Sequence, residues 1–540
     1  MLLITKTYEV LCEKLAWKPR YFVLELFRRL DEALKEGDRA LFLVDLPAGY
    51  GKSLATTLTL AKHALELNPY FSRVIHVLPM RSIIDDLCRR LTDGSERVDA
   101  RISTEVAAQY MLRPGSPFFV KKCVVTTLDT FVLNFFKLPA HEIHKAFKHN
   151  TAHFEFPRGM IYSSIVVLDE VHLFTGLGTI REESKSLTAV LAMVECLLEA
   201  GVPIVMMTAT MPDQIKKIIK ETVELSGSRL EKIEYQRGFD SEFDKELAGK
   251  IKRLSKISEL TFDGVGQYNR VGFIFNTVGG AIECYKRLRE QRLSKPVFLV
   301  HGRMPESRRK PLLEELDQKE SFAVVATQVI EAGVDLDFDL MITECCPPDR
   351  LVQRAGRVAR KSREGEICVL KAGEAQPYDK ELIELTWNEL ESIDRIDYET
   401  GKELITKVYS NVRDLGVIER LRRSLKAIDQ SLSVGLGEAK EAFEFFRGFT
   451  DSAGLVSVFR EGNYDPKEAI ALSEDEIRRE LLKGDSKVSF LVDNRGTTKN
   501  ASREDLGREE SISIYMLKQG YKGLVIDNRL YAELTGLDII

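Results

Sequence analysis

Two stretches of this sequence have residue types and spacing suited to phosphate chemistry. The first is Leu46-Pro47-Ala48-Gly49-Tyr50-Gly51-Lys52-Ser53, set between an apolar run and a helical pattern. Glycines at 49 and 51 let backbone N–H groups approach an anion with no Cβ in the way. The following helix would turn its positive end toward that anion. Lys52 would reach the β- and γ-phosphates of ATP, and Ser53 would ligate Mg²⁺. Leu46 stands where the general phosphate-loop pattern has its first glycine. The bland alternative is a glycine turn at a strand end. The second stretch is Asp169-Glu170-Val171-His172, directly after Ile165-Val166-Val167-Leu168. At the carboxyl edge of a sheet, where α/β ligand sites form, Asp169 can hold Mg²⁺ through water. Glu170 can position and deprotonate an attacking water. Alone, such acids make an ordinary strand-end turn; beside the glycine loop they complete an ATP site.

A third group lies in the second half. Ala326-Thr327-Gln328-Val329-Ile330-Glu331-Ala332-Gly333-Val334-Asp335-Leu336-Asp337 is followed by Gln353-Arg354-Ala355-Gly356-Arg357-Val358-Ala359-Arg360. Gly333 and Asp335 are assigned to nucleotide binding, and Gln353, Arg357 and Arg360 to catalysis. Arg357 and Arg360 are three apart, so on a helix they share one face. Guanidinium groups are permanently charged and fork onto phosphate oxygens, which suits them to reach the γ-phosphate across an interdomain cleft as arginine fingers. Thr208-Ala209-Thr210 could relay the γ-phosphate state, although alone the tripeptide says little.

The elements that must position these residues are legible as apolar runs. Ala40 to Asp45, Val74 to Leu78, Cys123 to Thr126, Ile165 to Leu168 and Ile204 to Met207 read as buried strands. Helical patterns over Ser53 to Leu67 and Ser82 to Leu91 lie between them. Near-continuous Val/Ile/Leu strands alternating with helices imply a parallel sheet covered on both faces. The pattern restarts at Val271 to Phe275, Val297 to Val300, Phe322 to Ala326 and Leu340 to Thr343, with a boundary among the polar residues from about Ser226 to Gln267. Beyond Ala372 the sequence becomes helical and highly charged. A polar stretch from Asn494 to Glu510 then precedes strand-like runs at Ile512 to Leu517 and Leu524 to Ile526. The expected domains are 1–225, 226–400 and 401–540.

Composition agrees with a multidomain globular chain. The 540 residues suggest about three or four domains, and 44% hydrophobic residues can bury a sizeable core. The 30% charged fraction with only 2 Trp and 11 Met hints at a thermophile. A net charge of −5 argues against nucleic-acid binding by bulk attraction, leaving local basic clusters and oriented amides to do it. The 8 Cys form no CxxC pair, which argues against structural zinc and a disulfide scaffold. No signal peptide or membrane span is visible, so the expected home is the cytoplasm.

The order LPAGYGKS, VLPMRS, VTTLDT, LDEVH, TAT, FIFNTV, HGRM, ATQVIEAGVD and QRAGRVAR resembles superfamily 2 helicases of the DExH-box type. The combination DEVH, TQVIEAGVD and LVQRAGRVAR most resembles the helicase component of type I CRISPR-Cas interference. The resemblance spans about residues 40 to 370. It implies an α/β fold of two tandem RecA-like parallel-sheet domains with a C-terminal mixed, largely helical accessory region. It implies an ATP- and Mg²⁺-dependent motor moving 3′-to-5′ on single-stranded DNA, recruited to a crRNA-guided multi-subunit surveillance complex. By motif match, Pro79, Arg81, Ser82, Thr126 and Thr127 would line the DNA track in the first domain. Asn276, Thr277, His301, Gly302, Arg303 and Thr327 would line it in the second. Where many family members read RVNR, this chain reads Arg357-Val358-Ala359-Arg360. Relatives often carry an N-terminal His-Asp nuclease domain. No His-Asp dipeptide occurs here and only about 45 residues precede the glycine loop, so the resemblance points to a separate HD-type nuclease subunit.

Other readings stay open. One is an RNA helicase or a DNA-repair helicase; Gln353, rather than a His, opening the last motif speaks against the RNA form. Another is a non-catalytic ATP-responsive subunit, against which Lys52, Asp169, Glu170, Arg357 and Arg360 are all present. Trp17, Arg20 and Tyr21 could contact adenine, but packing suits them better. His141, His144, His149 and His153 invite a metal reading; a solvent-facing insertion before the DEVH strand is the preferred one.

Overall fold

The computed structural model of the chain describes residues 3–536 except 67–69, 111–112, 177–182, 292, 332–335, 374–375, 411, 413, 431–435, 452–454, 482–486, 494 and 507–510. The residues fall into two units. One comprises Met1–Leu177, Arg181–Leu247 and Tyr409–Asp451, the other Gly178–Ile180, Ala248–Val408 and Ser452–Ile540.

The first unit is built on β1 (Ala40–Asp45), β2 (Arg73–Leu78), β3 (Val106–Tyr110), β4 (Arg113–Pro114), β5 (Cys123–Thr127), β6 (Ser164–Asp169), β7 (Ile204–Thr208) and β8 (Arg229–Glu234). They form one sheet in the order β4-β3-β5-β2-β6-β7-β1-β8. Only the β3–β4 hairpin is antiparallel. Every residue of β1, β2, β5, β6 and β7 is buried, the mark of a sheet covered on both faces. β7 lies between β1 and β6, with Asp45 opposite Thr208 and Asp169 opposite Met207. The glycine loop, the DEVH turn and Thr208-Ala209-Thr210 therefore leave adjacent strands at one carboxyl edge. On the far side of β6, Pro79 and Thr127 leave β2 and β5 at that same edge.

The boundary expected at 225 is overturned. Arg229–Glu234 pairs with β1 along its whole length, and the helix Ser241–Ala248 follows it within reach of the glycine loop. This strand was hidden because it is an edge strand whose charged side chains are half exposed. The domain expected at 401–540 is also divided. The helix Glu419–Gln430 packs in the first unit on the helix Lys185–Glu199. There Arg422 Nη2 lies 3.0 Å from the buried Glu195 carboxylate, which Lys426 also pairs. Asp451 accepts the N–H of Ser186 at 3.0 Å at the start of the same helix, a charge-compatible cap.

The second unit holds a six-stranded, all-parallel sheet in the order β11-β12-β10-β13-β14-β9. Its strands are β9 (Ile251–Ile257), β10 (Arg270–Ile274), β11 (Val297–Val300), β12 (Phe322–Ala326), β13 (Leu340–Glu344) and β14 (Glu364–Leu370). Val300 and Ile274 both stand opposite Ala326, so His301, Thr327 and Asn276 follow three adjacent strands at one edge. The unit also contains a five-stranded mixed sheet, β16-β15-β19-β17-β18, from β15 (Leu455–Arg460), β16 (Ile470–Ser473), β17 (Val488–Leu491), β18 (Thr498–Asn500) and β19 (Gly523–Ile526). Leu524 to Ile526 is thus a strand as expected, but Ile512–Gln519 is a helix capped by Ser511, whose side chain accepts the N–H of Ile514. An apolar run this short does not separate strand from helix; the Ser cap and Gly520, in the left-handed region at its end, decide it. Among the described residues no helix is long and apolar enough to cross a membrane.

Candidate nucleotide and nucleic-acid sites

The glycine loop leaves β1 at Leu46, whose N–H donates to the Thr208 carbonyl at 3.1 Å. Gly49 and Gly51 have φ of +84° and +88°, values any side chain would strain. An added Cβ would meet nothing at either, so the loop faces open space and the glycines are there for backbone shape. Ala48 and Gly49 are exposed and Pro47 is buried. Lys52 opens the helix Lys52–Leu65.

Tyr50 turns inward. Its ring is fully buried against Phe243, centroids 4.7 Å apart. Its hydroxyl donates to Asp240 Oδ2 at 2.6 Å and accepts the Phe22 N–H at 3.1 Å. Burial and the Asp240 carboxylate push the phenol well above its ordinary range, so Tyr50 fixes the loop as a neutral hydroxyl. Asp240 and Phe243, in a stretch the sequence reads as interdomain, are site-supporting residues that sequence reasoning missed. Arg20 lies over the Tyr50 and Phe243 rings and pairs Glu246 at 3.0 Å; packing is its evident role. Tyr21 is 40% exposed beside the exposed Phe239.

Asp169 ends β6 with its carboxyl buried. Burial alone would raise its pKa, but the neighbouring His76, Lys52 and Ser53 outweigh that and hold it below the ordinary carboxylate range. Oδ1 accepts the Glu170 N–H at 2.9 Å. Glu170 itself has φ +54°, a left-handed backbone that a non-glycine residue keeps only when its surroundings impose it. His172 Nδ1 lies 3.6 Å from Glu170 Oε2 and 3.2 Å from Thr208 Oγ1, which also accepts the Thr210 N–H. His172 thus stands between the acid turn and the Thr208-Ala209-Thr210 turn, hydrogen-bonded to Thr208 and 3.6 Å from Glu170 Oε2. A hydroxyl and an ionised carboxylate are hard oxygen donors of the kind Mg²⁺ prefers, so Ser53 and Asp169 fit that ion. Among the described residues no group of three His, Cys, Asp or Glu is arranged to hold a metal.

The expected shared helical face of Arg357 and Arg360 is overturned. The helix Pro348–Ala355 ends before them. Val358 bridges Phe338, and the Asp337 carboxylate gathers the N–H groups of Arg360, Lys361 and Ser362 at 2.7, 3.0 and 3.1 Å. That carboxylate gives the backbone a better set of hydrogen bonds than another helical turn would. Arg357 donates to the Glu331 carbonyl at 2.6 Å. Ala359, the position at which the resemblance leads one to expect Asn, sits at φ +51°, a conformation Asn tolerates better than Ala. Gln353 lies on the helix, partly exposed; Gly333 and Asp335 lie outside the described residues.

The missed residue of this motif is Arg354, fully buried. Its guanidinium donates to Glu331 Oε1 at 2.8 Å, Thr343 Oγ1 at 2.7 Å, the Glu344 carbonyl at 3.0 Å and Asn276 Oδ1 at 3.0 Å. It ties together the ends of β10 and β13 and the turn after β12.

The nucleic-acid candidates divide by exposure. Arg81 is exposed over the Tyr110 ring, Pro79 is half-buried, and the Ser82 side chain lies outside the described set. Thr126 is buried and donates to the Gln109 carbonyl at 2.6 Å, while Thr127 caps the helix Leu128–Phe135. Asn276 is buried, its amide donating to the Cys345 carbonyl at 2.9 Å. Thr277 caps the helix Val278–Glu290, and Thr327 is buried. Gly302 is exposed. Arg303 pairs with Glu476 at 2.7 Å. His301 is fully buried with no hydrogen bond to either ring nitrogen; burial, with Arg303 and Arg309 nearby, pulls its pKa down to about 4.

In the four-histidine stretch His141, His149 and His153 are exposed and His144 is half-buried, as a solvent-facing insertion requires, although its apolar side is packed. Ile143 and Ala146 of the helix Ile143–His149 are buried, and Phe147 packs on Phe443, centroids 5.8 Å apart. His153 Nδ1 lies 3.0 Å from Glu142.

With that geometry in hand, two families match. The DEAD/DEAH box helicase family matches residues 30–218. The family described as CRISPR-associated nuclease/helicase Cas3, C-terminal, matches residues 267–363. The chain is thus similar to the DEAD/DEAH box helicases in its first half and to Cas3 helicases in its second. The CRISPR-associated helicase Cas3 of Thermoproteus tenax is 24% identical over 94% of this chain and 90% of its own length. The putative CRISPR-associated nuclease/helicase Cas3 of Methanocaldococcus jannaschii is 29% identical over 55% of this chain and 40% of its own. Among solved structures, T. fusca Cas3 with AMPPNP superposes at a TM-score of 0.58 with 18% identity, over 84% of this chain and 60% of that one. The Cas3-like chain thus spans 40% of the M. jannaschii relative and 60% of the T. fusca chain.

Proposed function

We propose that this chain is an ATP-driven translocase that moves 3′-to-5′ on single-stranded DNA and unwinds target DNA in type I CRISPR interference. The observation that carries the reading is the placement of the glycine loop, the acids Asp169 and Glu170 and the Thr208-Ala209-Thr210 turn at the carboxyl ends of the neighbouring strands β1, β6 and β7. Lys52 and the loop amides of Pro47 to Ser53 bind the phosphates, and Ser53 and Asp169 hold the magnesium ion. That ion, when bound, neutralises developing phosphate charge. Glu170 orients and deprotonates the attacking water; Gln353, Arg357 and Arg360 stabilise the transferring phosphoryl group. His172, between Glu170 and Thr208, passes the state of the ATP site to the next strand.

DNA runs over the carboxyl edges where Pro79, Arg81 and Thr127, and in the second unit His301 to Arg303, leave their strands. Amides and hydroxyls there grip phosphates without regard to base, which suits a chain of net charge −5. The partners are a crRNA-guided surveillance complex and a separate HD-type nuclease, in the cytoplasm. Support for a separate nuclease comes from the relative named as a helicase alone, matched over 90% of its length. The nuclease/helicase relative of Methanothermobacter thermautotrophicus is matched over 59%.

The test is the ATPase rate without nucleic acid, with single-stranded DNA and with single-stranded RNA of the same sequence. DNA stimulates and RNA does not. Equal stimulation by RNA would transfer the reading to an RNA helicase, and no hydrolysis under any condition would make the chain a non-catalytic subunit.

A further inference from the structure

The strand β2 reads Arg73-Val74-Ile75-His76-Val77-Leu78. One imidazole interrupts its apolar run, in a strand buried from end to end. Burying an imidazole costs free energy unless its nitrogens find partners, and an aliphatic side chain would fill such a slot more cheaply. His76 is fully buried, and both nitrogens face residues of the nucleotide site. Nδ1 lies 2.6 Å from Thr57 Oγ1, on the helix that Lys52 and Ser53 open. Nε2 lies 3.3 Å from Asp169 Oδ2, close but not aligned as a hydrogen bond. Thr57 is fully buried too. Asp169 thus has one oxygen on the Glu170 N–H and the other facing His76.

We propose that His76 is a positioning residue for the magnesium–nucleotide complex, bridging the glycine-loop helix to Asp169 and fixing the orientation of that carboxylate. The proposal rests on the reading of Asp169 as the acid that holds the magnesium ion. Thr57 donates its hydroxyl hydrogen to Nδ1, which sets the tautomer that carries its hydrogen on Nε2, toward Asp169. The glycine-loop helix and the acid turn, which start from strands separated by β7, are in this way locked to each other through a third strand. Partners that orient a metal-holding group typically set metal affinity by about 10–100-fold. The expected signature is therefore a change in magnesium requirement without a change in nucleotide binding where no metal is present.

The experiment uses the full chain and its H76F, H76Q, T57V and D169N variants. Affinity for a fluorescent non-hydrolysable ATP analogue is titrated against free Mg²⁺, and affinity for fluorescent ADP is measured in EDTA. H76F raises the half-saturating Mg²⁺ concentration by on the order of 10–100-fold and leaves ADP binding in EDTA unchanged. H76Q, whose amide N–H can reach Asp169 in place of Nε2–H, recovers most of the loss. T57V moves the same way by less. An unchanged Mg²⁺ requirement in H76F, with a shifted one in D169N, overturns the proposal and leaves the site intact. Equal loss of binding with and without metal overturns it by making His76 a packing residue. If H76F does not fold, T57V decides, and an unchanged Mg²⁺ requirement there is equally fatal. An unshifted D169N removes the magnesium reading of Asp169, and this proposal with it.

Discussion

Arg354 offers the sharpest test of how the second unit holds its motifs. Replacing it with Met keeps much of the volume and removes the charge. Glu331, 2% exposed, then loses its closest cation. Breaking a buried ion pair from one side costs about 3–5 kcal/mol. Arg350, 3.4 Å from Glu331, remains and reduces that cost. Against this, Asn276 Oδ1 loses a donor, at about 1–3 kcal/mol for a buried group left unsatisfied, which roughly offsets the relief from Arg350, while the Glu344 carbonyl keeps the Thr343 hydroxyl. The sum stays near about 3–5 kcal/mol, or roughly 6–20 °C in midpoint at about 2–4 °C per kcal/mol for a unit of this size. The chain has 2 tryptophans, Trp17 in the first unit and Trp387 in the second. In a Trp17→Phe background, urea unfolding followed by Trp387 emission therefore reports the second unit alone. Arg354→Met moves that transition to lower urea, and adding Glu331→Leu recovers much of the loss, because the stranded charge is gone. A shift worth less than about 0.5 kcal/mol, the usual range of surface substitutions, would refute the reasoning. So would a double variant no better than the single one.

Lys52→Ala abolishes ATP turnover, whereas Glu170→Gln binds ATP and turns it over very slowly, since an amide cannot act as the base; wild-type rates in a phosphate-release assay for either variant would remove the site. His301 gives a pH signature. Its folded pKa of about 4 lies below the ordinary 6.5, so between those values the unfolded chain binds the extra proton, and stability falls as pH drops from 6.5 toward 4. His301→Leu flattens that part of the urea-midpoint profile; an unaltered slope would show that His301 does not set it.

What the sequence shows and hides follows from how local each feature is. The glycine loop and DEVH turn are each contiguous in sequence, and their strands are apolar throughout, so the candidate nucleotide site and the central strands are legible. Arg229–Glu234 and Ile251–Ile257 are edge strands carrying charges on exposed positions, and they read as polar linker. Arg357 and Arg360 share a helical spacing, but the Asp337 side chain, more than twenty residues upstream, ends that helix. Asp240, His76 and Arg354 escaped notice because each acts through a partner distant in sequence, such as Tyr50, Thr57 or Asn276, and no spacing rule links them.

The carboxylate of Glu195 has a consequence for how the protein is made. β8, the last strand of the first sheet, is complete at Glu234, yet the guanidinium of Arg422 that neutralises Glu195 is encoded 227 residues after it. At about 5–20 residues per second on the ribosome, the helix Lys185–Glu199 waits on the order of 10–45 s for that partner. For most of that interval, from Glu234 onward, the nascent chain carries a finished sheet beside an uncovered helix face bearing Glu195, while the whole parallel sheet of the second unit is synthesised. The first unit therefore stays incomplete until the parallel sheet of the second has been made. A ribosome stalled at about residue 400 would display an open first unit, sensitive to protease near Glu195, that closes only after the helix Glu419–Gln430 has cleared the exit tunnel.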